Sequence, residues 1–295
     1  QGAVILSQDN RWLYVVNPGS NDISVFSVST QGLALTDRVS SGGTQPISLT
    51  VDRSLLYVLN AGGDGNITGF TVQRNGHLTP LAGSTRALSG IGTAPAQIGF
   101  SPDGKVLVVT EKATNLIDTY VVADDGLSSG PYVNNSVNLT PFGFAFDRRG
   151  NLLVSEAVGG AVDASSVSTY SVNASGQLDV ISPAVATTET AVCWVVVTKN
   201  GRFAYVSNTG SGSLTAYSIA NDGSIALRDA DGRTGDTGAG SAPLDIALSN
   251  DSRYLYTLNS GTLNLGAFSV DAKGGLVAIP GADGLPIGVN GLAAH

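Results

Sequence analysis

Short apolar runs alternate with Gly-, Asp- and Asn-bearing turns along the whole chain. One run recurs six times: ISVFSV (23–28), ITGFTV (67–72), IDTYVV (117–122), VSTYSV (167–172), LTAYSI (214–219) and LGAFSV (265–270). An aromatic residue holds its fourth place each time: Phe26, Phe70, Tyr120, Tyr170, Tyr217 and Phe268. The apolar residue two places on shares a strand face with it, because side chains alternate along a strand. Each run therefore reads as a strand, and their repetition reads as a repeat architecture.

A second strand precedes each of these: WLYVVN, LLYVLN, VLVVTE, LLVSE, FAYVSN and YLYTLN. They end at Asn17, Asn60, Glu111, Glu156, Asn208 and Asn259, which recur at intervals of 43 to 52 residues. Before each lies a further strand, often led by proline, as in QPISLTV, APAQIGF, TPFGFAF and APLDIAL. Tight turns such as SPDGK, DRRGN, TKNGR and SNDSR join these two strands. After the aromatic strand comes a glycine turn and a fourth short strand, as in RNGHLTPL, ASGQLDVI and NDGSIALR.

Four antiparallel strands per roughly 45–50 residues is the unit of a β-propeller blade. A lone sheet of this kind leaves both faces apolar, and stacking against neighbours buries them. The expectation is an all-β fold: a β-propeller of four-stranded blades, one domain over residues 1–295. First strands number seven (2–7, 46–51, 95–100, 141–146, 192–198, 243–249 and 286–294), whereas each other strand type numbers six. The stretch LPIGVNGLAAH at 285–295 thus reads as the closing inner strand of a seventh blade. The chain contains no methionine, which suits a sequence whose upstream portion supplied the rest of that blade.

Topology assigns the loops to faces. Second–third connections and blade crossovers share one face, including the long loops 82–94, 128–140, 157–166, 181–191 and 228–242. Ligand sites favour such loops over a rigid scaffold. Two features break the repeat there. Glu111, followed by Lys112, and Glu156 stand where four repeats have asparagine, making them candidate catalytic acid and base. TETAVCWVVV brings Glu189, Cys193 and Trp194 to a place where other repeats carry proline and small residues. The candidate ligand-binding set around this mouth is Asn17, Asn60, Gln97, Lys112, Glu189, Trp194, Asn208, Asp245 and Asn259. The bland alternative is that the Asn and Glu side chains cap loop donors and Trp194 fills the tunnel.

Composition narrows the chemistry. Two histidines are present, His77 in a third–fourth hairpin and His295 at the end, so a Ser-His-Asp site and histidine-ligated zinc are not expected. The one cysteine, Cys193, rules out an intrachain disulfide. DADGRTGD (229–236) starts like a calcium loop but lacks the later ligands, and reads as an acidic loop. No metal and no cofactor are expected. The net charge of −8, with no Lys/Arg cluster along the sequence, does not suit nucleic acid. No apolar run is long enough for a membrane helix. The expected partner is a small-molecule ligand, or a protein, at the propeller mouth. Low Lys with abundant Ser, Thr, Asn and Gly suits an exported protein, secreted or periplasmic, with the cytoplasm left open.

The cycle of proline-led strand, SPDGK-type turn, LYVVN-type strand, ISVFSV-type strand and DGxL hairpin resembles the lactonase-type seven-bladed propellers. These include 6-phosphogluconolactonase-like and carboxymuconate-cyclase-like proteins. The resemblance spans the chain and implies lactone hydrolysis or lactonisation, without a cofactor. It also implies a histidine just after one blade's proline, an arginine or histidine at the matching place of the next blade, and a glutamate after that blade's second strand. Here the first place holds Ala96 and Gln97 and the second Phe142 and Gly143, while Glu156 corresponds to the glutamate. Two expectations follow: a lactonase-like enzyme without a catalytic histidine, or a non-catalytic binding scaffold on the same fold.

Overall fold

A computed structural model of the protein describes residues 2–295. It is an all-β propeller chain of six blades, each an antiparallel sheet whose four strands pair in sequence order. Blade 1 comprises Val4–Leu6, Trp12–Asn17, Asp22–Ser29 and Gly32–Ser40. Blade 2 comprises Pro46–Asp52, Leu55–Asn60, Asn66–Val72 and Leu78–Pro80. Blade 3 comprises Pro95–Phe100, Val106–Glu111, Leu116–Val122 and Ser128–Asn135. Blade 4 comprises Pro141–Phe146, Leu152–Glu156, Ser166–Val172 and Leu178–Ala186. Blade 5 comprises Val192–Val197, Phe203–Asn208, Ser213–Ile219 and Ile225–Leu227. Blade 6 comprises Pro243–Leu248, Tyr254–Asn259, Asn264–Val270 and Leu276–Asp283. The third strands of blades 2 and 5 each gain a two-residue partner, Arg86–Ala87 and Gly235–Asp236.

The chain forms two compact units. One holds residues up to Asn135 together with Asn173–Gln177, and the other holds Ser136–Val172 and Leu178–His295. Within each unit, the apolar cores lie between successive blades. In the first, Tyr14, Val16 and Ile23 of blade 1 pack with Leu49, Leu56 and Phe70 of blade 2. In the second, Tyr205, Leu214 and Ala216 of blade 5 pack with Ile246, Leu255 and Phe268 of blade 6. Second strands are apolar on both faces because each face meets a sheet, so Val106–Glu111 and Phe203–Asn208 are buried throughout.

Hairpin glycines fix the joints between neighbouring blades. Gly76 of blade 2 has φ +80, and a Cβ there would come within 2.3 Å of the Trp12 ring of blade 1. Gly274 of blade 6 has φ +79, and its Cβ would reach 2.5 Å from the Phe203 ring of blade 5. Only glycine supplies both the left-handed turn and the close approach. Tyrosines complete the joint: Tyr57 donates to the Gly126 carbonyl (2.7 Å) and Tyr205 to the Gly274 carbonyl (3.0 Å). Tyr14, at the same place in blade 1, is wholly buried and its hydroxyl has no hydrogen-bond partner. Tyr205→Phe should therefore lose about 1 kcal/mol of stability, whereas Tyr14→Phe should lose none. Urea unfolding of the two variants checks this contrast.

The expected seventh inner strand does not form. Residues 285–295 contain no strand, and the blades number six rather than seven. Pro286 lacks a donor for a ladder, and Gly288 (φ 79) and Gly291 (φ 88) turn the chain out of the extended region. Every other first strand is held by a second strand that follows it. Residues 285–295 pair with no strand. The segment is instead held by Leu285 N–H on the Leu263 carbonyl (2.9 Å) and by Leu292 N–H on Asp245 Oδ2 (3.0 Å).

Candidate functional site

The six residues that end the second strands turn back onto their own blades. Each lies opposite the first residue of its third strand: Asn17 opposite Asp22, Asn60 opposite Asn66, Glu111 opposite Leu116, Glu156 opposite Ser166, Asn208 opposite Ser213 and Asn259 opposite Asn264. Asn17 Nδ2 donates to Asp22 Oδ1 (2.6 Å) and Ser24 Oγ (2.9 Å). Asn60 Nδ2 donates to the Ser41 carbonyl (3.3 Å) and Asn66 Oδ1 (2.9 Å). Asn208 Nδ2 donates to Ser213 Oγ (3.1 Å) and Thr215 Oγ1 (2.9 Å), and Asn259 Nδ2 to Asn264 Oδ1 (2.9 Å). These asparagines clamp the second strand to the third.

Glutamate takes the same place where the crossover loops offer donors further out. In the first unit Glu111 is fully buried. It accepts from Ser89 N–H (3.1 Å), Ser89 Oγ (2.5 Å) and Thr114 Oγ1 (2.6 Å). Asp118, two residues into the third strand, is also fully buried, and neither of its oxygens receives a hydrogen bond. Burial, and after it the Glu111 carboxyl, push its pKa up to about 8. Two carboxylates in one dry site cannot both ionise cheaply. Burial and the neighbouring Glu111 carboxyl therefore favour the protonated form of Asp118. The sequence signal for this partner was an aspartate where five repeats hold Ser24, Thr68, Ser168, Thr215 and Gly266. In the same unit Gln97 is the third residue of the first strand of blade 3 and is buried. Lys112 is half-buried, with its backbone N–H on the Ala94 carbonyl.

In the second unit Glu156 is fully buried. Ser136 Oγ (3.0 Å), Asn138 N–H (2.9 Å), Ser166 Oγ (2.6 Å) and Ser168 Oγ (2.9 Å to each oxygen) surround it. Glu189 is buried as well, receiving Ser213 Oγ (2.9 Å) and the Arg233 guanidinium (3.3 Å to each oxygen). The Glu189 contact raises the Arg233 pKa. The acidic loop 229–236 is thus pinned by its own arginine, with Gly235–Asp236 paired to the third strand. Glu189 and Asn208 meet on Ser213.

The first strands of this unit carry a different set. Trp194 is buried, with its ring edge-on to Phe142 at 4.9 Å between centroids. Its indole Nε1–H is enclosed and has no acceptor. Asp245, on the next first strand, is fully buried and accepts from Ile246 N–H (2.8 Å) and Leu292 N–H (3.0 Å). Burial raises its pKa. Cys193 is a buried thiol that receives Thr209 Oγ1 at 3.0 Å. No group of three or more His, Cys, Asp or Glu side chains poised to hold a metal occurs among the described residues.

Comparison with known proteins agrees with this architecture. The family model described as "Lactonase, 7-bladed beta-propeller" matches residues 1–91. The 6-phosphogluconolactonase of Serratia proteamaculans is 23% identical over 280 residues, covering 91% of this chain and 80% of that protein. The resemblance to the lactonase-type β-propeller family holds. Among solved structures, this chain superposes on a putative 6-phosphogluconolactonase from Bacteroides fragilis with a TM-score of 0.76. That pair shares 21% identity and covers 96% of this chain and 84% of the other. It superposes on the periplasmic gluconolactonase of Pseudomonas aeruginosa with a TM-score of 0.72 at 17% identity, covering 95% and 84%. The family description names seven blades where this chain forms six.

Proposed function

We propose that this lactonase-type propeller binds a small oxygenated ligand, of the lactone or sugar-acid class, beside Trp194 and Phe142, and that it does so without lactone hydrolysis by Glu111 or Glu156. The observation carrying the reading is the Trp194 indole N–H, enclosed and without an acceptor. An unmade hydrogen bond of this kind costs about 1–3 kcal/mol, which an oxygen of a bound ligand would recover. The flat ring of Trp194, braced edge-on by Phe142, suits the face of a sugar-like ring. The relatives named for 6-phosphogluconolactone and gluconolactone chemistry support the ligand class.

Catalysis by the two glutamates is disfavoured by their surroundings. A general base must reach the proton it removes. Both carboxylates are fully buried, and each is already occupied by hydroxyl and amide donors of its own unit. The test pairs a rate with a binding signal. Hydrolysis of δ-gluconolactone and 6-phosphogluconolactone should not exceed the spontaneous rate, in wild type or in Glu156→Gln. In a Trp12→Phe variant Trp194 is the sole tryptophan. Its emission should shift saturably on adding gluconate. Hydrolysis that disappears in Glu156→Gln would replace this reading with a glutamate-dependent lactonase.

A further inference from the structure

The joint between blades 1 and 2 contains a cleft of about 270 Å³ that plays no part in the ligand site above. It lies where the first turn of blade 1 meets the turn and third-strand end of blade 2. Three arginines border it: Arg11, Arg53 and Arg74. Arg11 is matched by Asp9 at 2.6 Å, and Arg53 stands 3.9 Å from Asp52. Arg74 makes no ion pair among the described residues. The lining therefore keeps net positive charge, on a chain whose formal net charge is −8. General attraction for anions does not explain such a concentration, since the whole protein repels them.

The buried floor supplies a second, independent observation. Trp12 and Tyr14 both line the cleft. In blades 2 and 5 the tyrosine equivalent to Tyr14 gives its proton to the next hairpin's glycine carbonyl. At this joint the hairpin is seated on the Trp12 ring, and the Tyr14 hydroxyl is left buried without an acceptor. Burial, with Asp9 adding to it, pushes the Tyr14 pKa up to about 12, so the group is a donor at any ordinary pH. A donor held in reserve behind three guanidinium groups calls for an oxyanion.

We propose that this cleft binds the carboxylate or phosphate of a small organic anion, with Arg74, Arg53 and Arg11 around the oxyanion, Tyr14 as a hydroxyl donor and Trp12 against the carbon skeleton. The arginine fork matches either head group, and the volume limits the ligand to one of metabolite size.

The chain has two tryptophans, so Trp194→Phe leaves Trp12 as the only reporter and removes the site proposed above. Inorganic phosphate and benzoate serve as probes of the two head groups, with sodium chloride at matched ionic strength as the control. A saturable change in Trp12 emission with either probe, absent with chloride, is the expected result. Arg74→Ala should weaken that binding at least tenfold. Tyr14→Phe should weaken it several-fold while leaving the melting temperature unchanged. Calorimetric titration of the unsubstituted protein and its Arg74→Ala variant gives the same comparison without the tryptophan change. A response matched by chloride, no saturation with either probe, or equal affinity in Arg74→Ala would overturn the proposal.

Discussion

Raising the pH from 5 to 8 lowers the melting temperature of the wild-type protein by about 5 °C or more, and Asp118→Asn removes most of that slope. The reason is the proton that burial and the nearby Glu111 carboxyl keep on Asp118. Below about pH 4 the folded and unfolded chains both carry it, since an ordinary aspartate titrates near 3.8. Between there and about 8 only the folded chain keeps it, so unfolding releases a proton. Each pH unit in that window then removes up to ~1.4 kcal/mol of stability. Above it Asp118 has lost its proton in the folded chain too, and the slope flattens. Asp245, whose pKa is also raised by burial, acts in the same direction. Carboxylates held low, such as Asp9 and Asp103, act only on the acid side. Asparagine at 118 is neutral at every pH, and so resembles the protonated, low-pH form of Asp118. Thermal melts of wild type and Asp118→Asn at pH 5, 6.5, 8 and 9 decide the matter. Parallel slopes in the two proteins would place the proton elsewhere.

Glu156→Ala has the largest expected cost of any substitution here, about 3–5 kcal/mol. Three serine hydroxyls and the Asn138 N–H converge on this carboxylate from the crossover into blade 4 and from its third strand. Ser168 also receives Ala184 N–H from the fourth strand, so the network reaches across three strands of the sheet. Alanine would strand these donors in a dry cavity. Glu156→Gln keeps the volume and one carbonyl oxygen, and the hydroxyls can rotate to accept from its amide, so its loss should be about half as large or less. Denaturant unfolding separates the two. Equal, small losses would mean that water reaches the site and replaces the carboxylate.

Much of the scaffold could be read from local pattern. Pro46, Pro95, Pro141 and Pro243 each open a first strand as the proline-led runs indicated. The repeated aromatics Phe70, Tyr120, Tyr170, Tyr217 and Phe268 are all buried. The segment 285–295 misled because an apolar run becomes a strand only when another strand pairs with it, and pairing is not local. The breaks in the repeat were visible in sequence, but their meaning was not. Glu111 and Glu156 stood out as possible chemistry, whereas their donors lie at Ser89, Thr114 and Ser136, in loops with no repeat to mark them. Asp118 was legible only as a departure from a pattern whose physical role emerged from packing. Tyr14 looks identical to Tyr57 and Tyr205 in sequence, and differs only in what the next hairpin presents to it.

The hairpin joints carry a consequence for how such a chain can change over generations. Gly76 on Trp12 and Gly274 on Phe203 are the same fitting, made from one blade's turn and its neighbour's second strand. A fitting that refers only to the adjacent blade is indifferent to how many others exist. Duplication or loss of a whole blade then preserves every surviving joint, while a change inside one joint disturbs two blades at once. These joints therefore do not themselves set the number of blades, whereas the rings of Trp12 and Phe203 leave no room for any residue but glycine in the hairpins they meet.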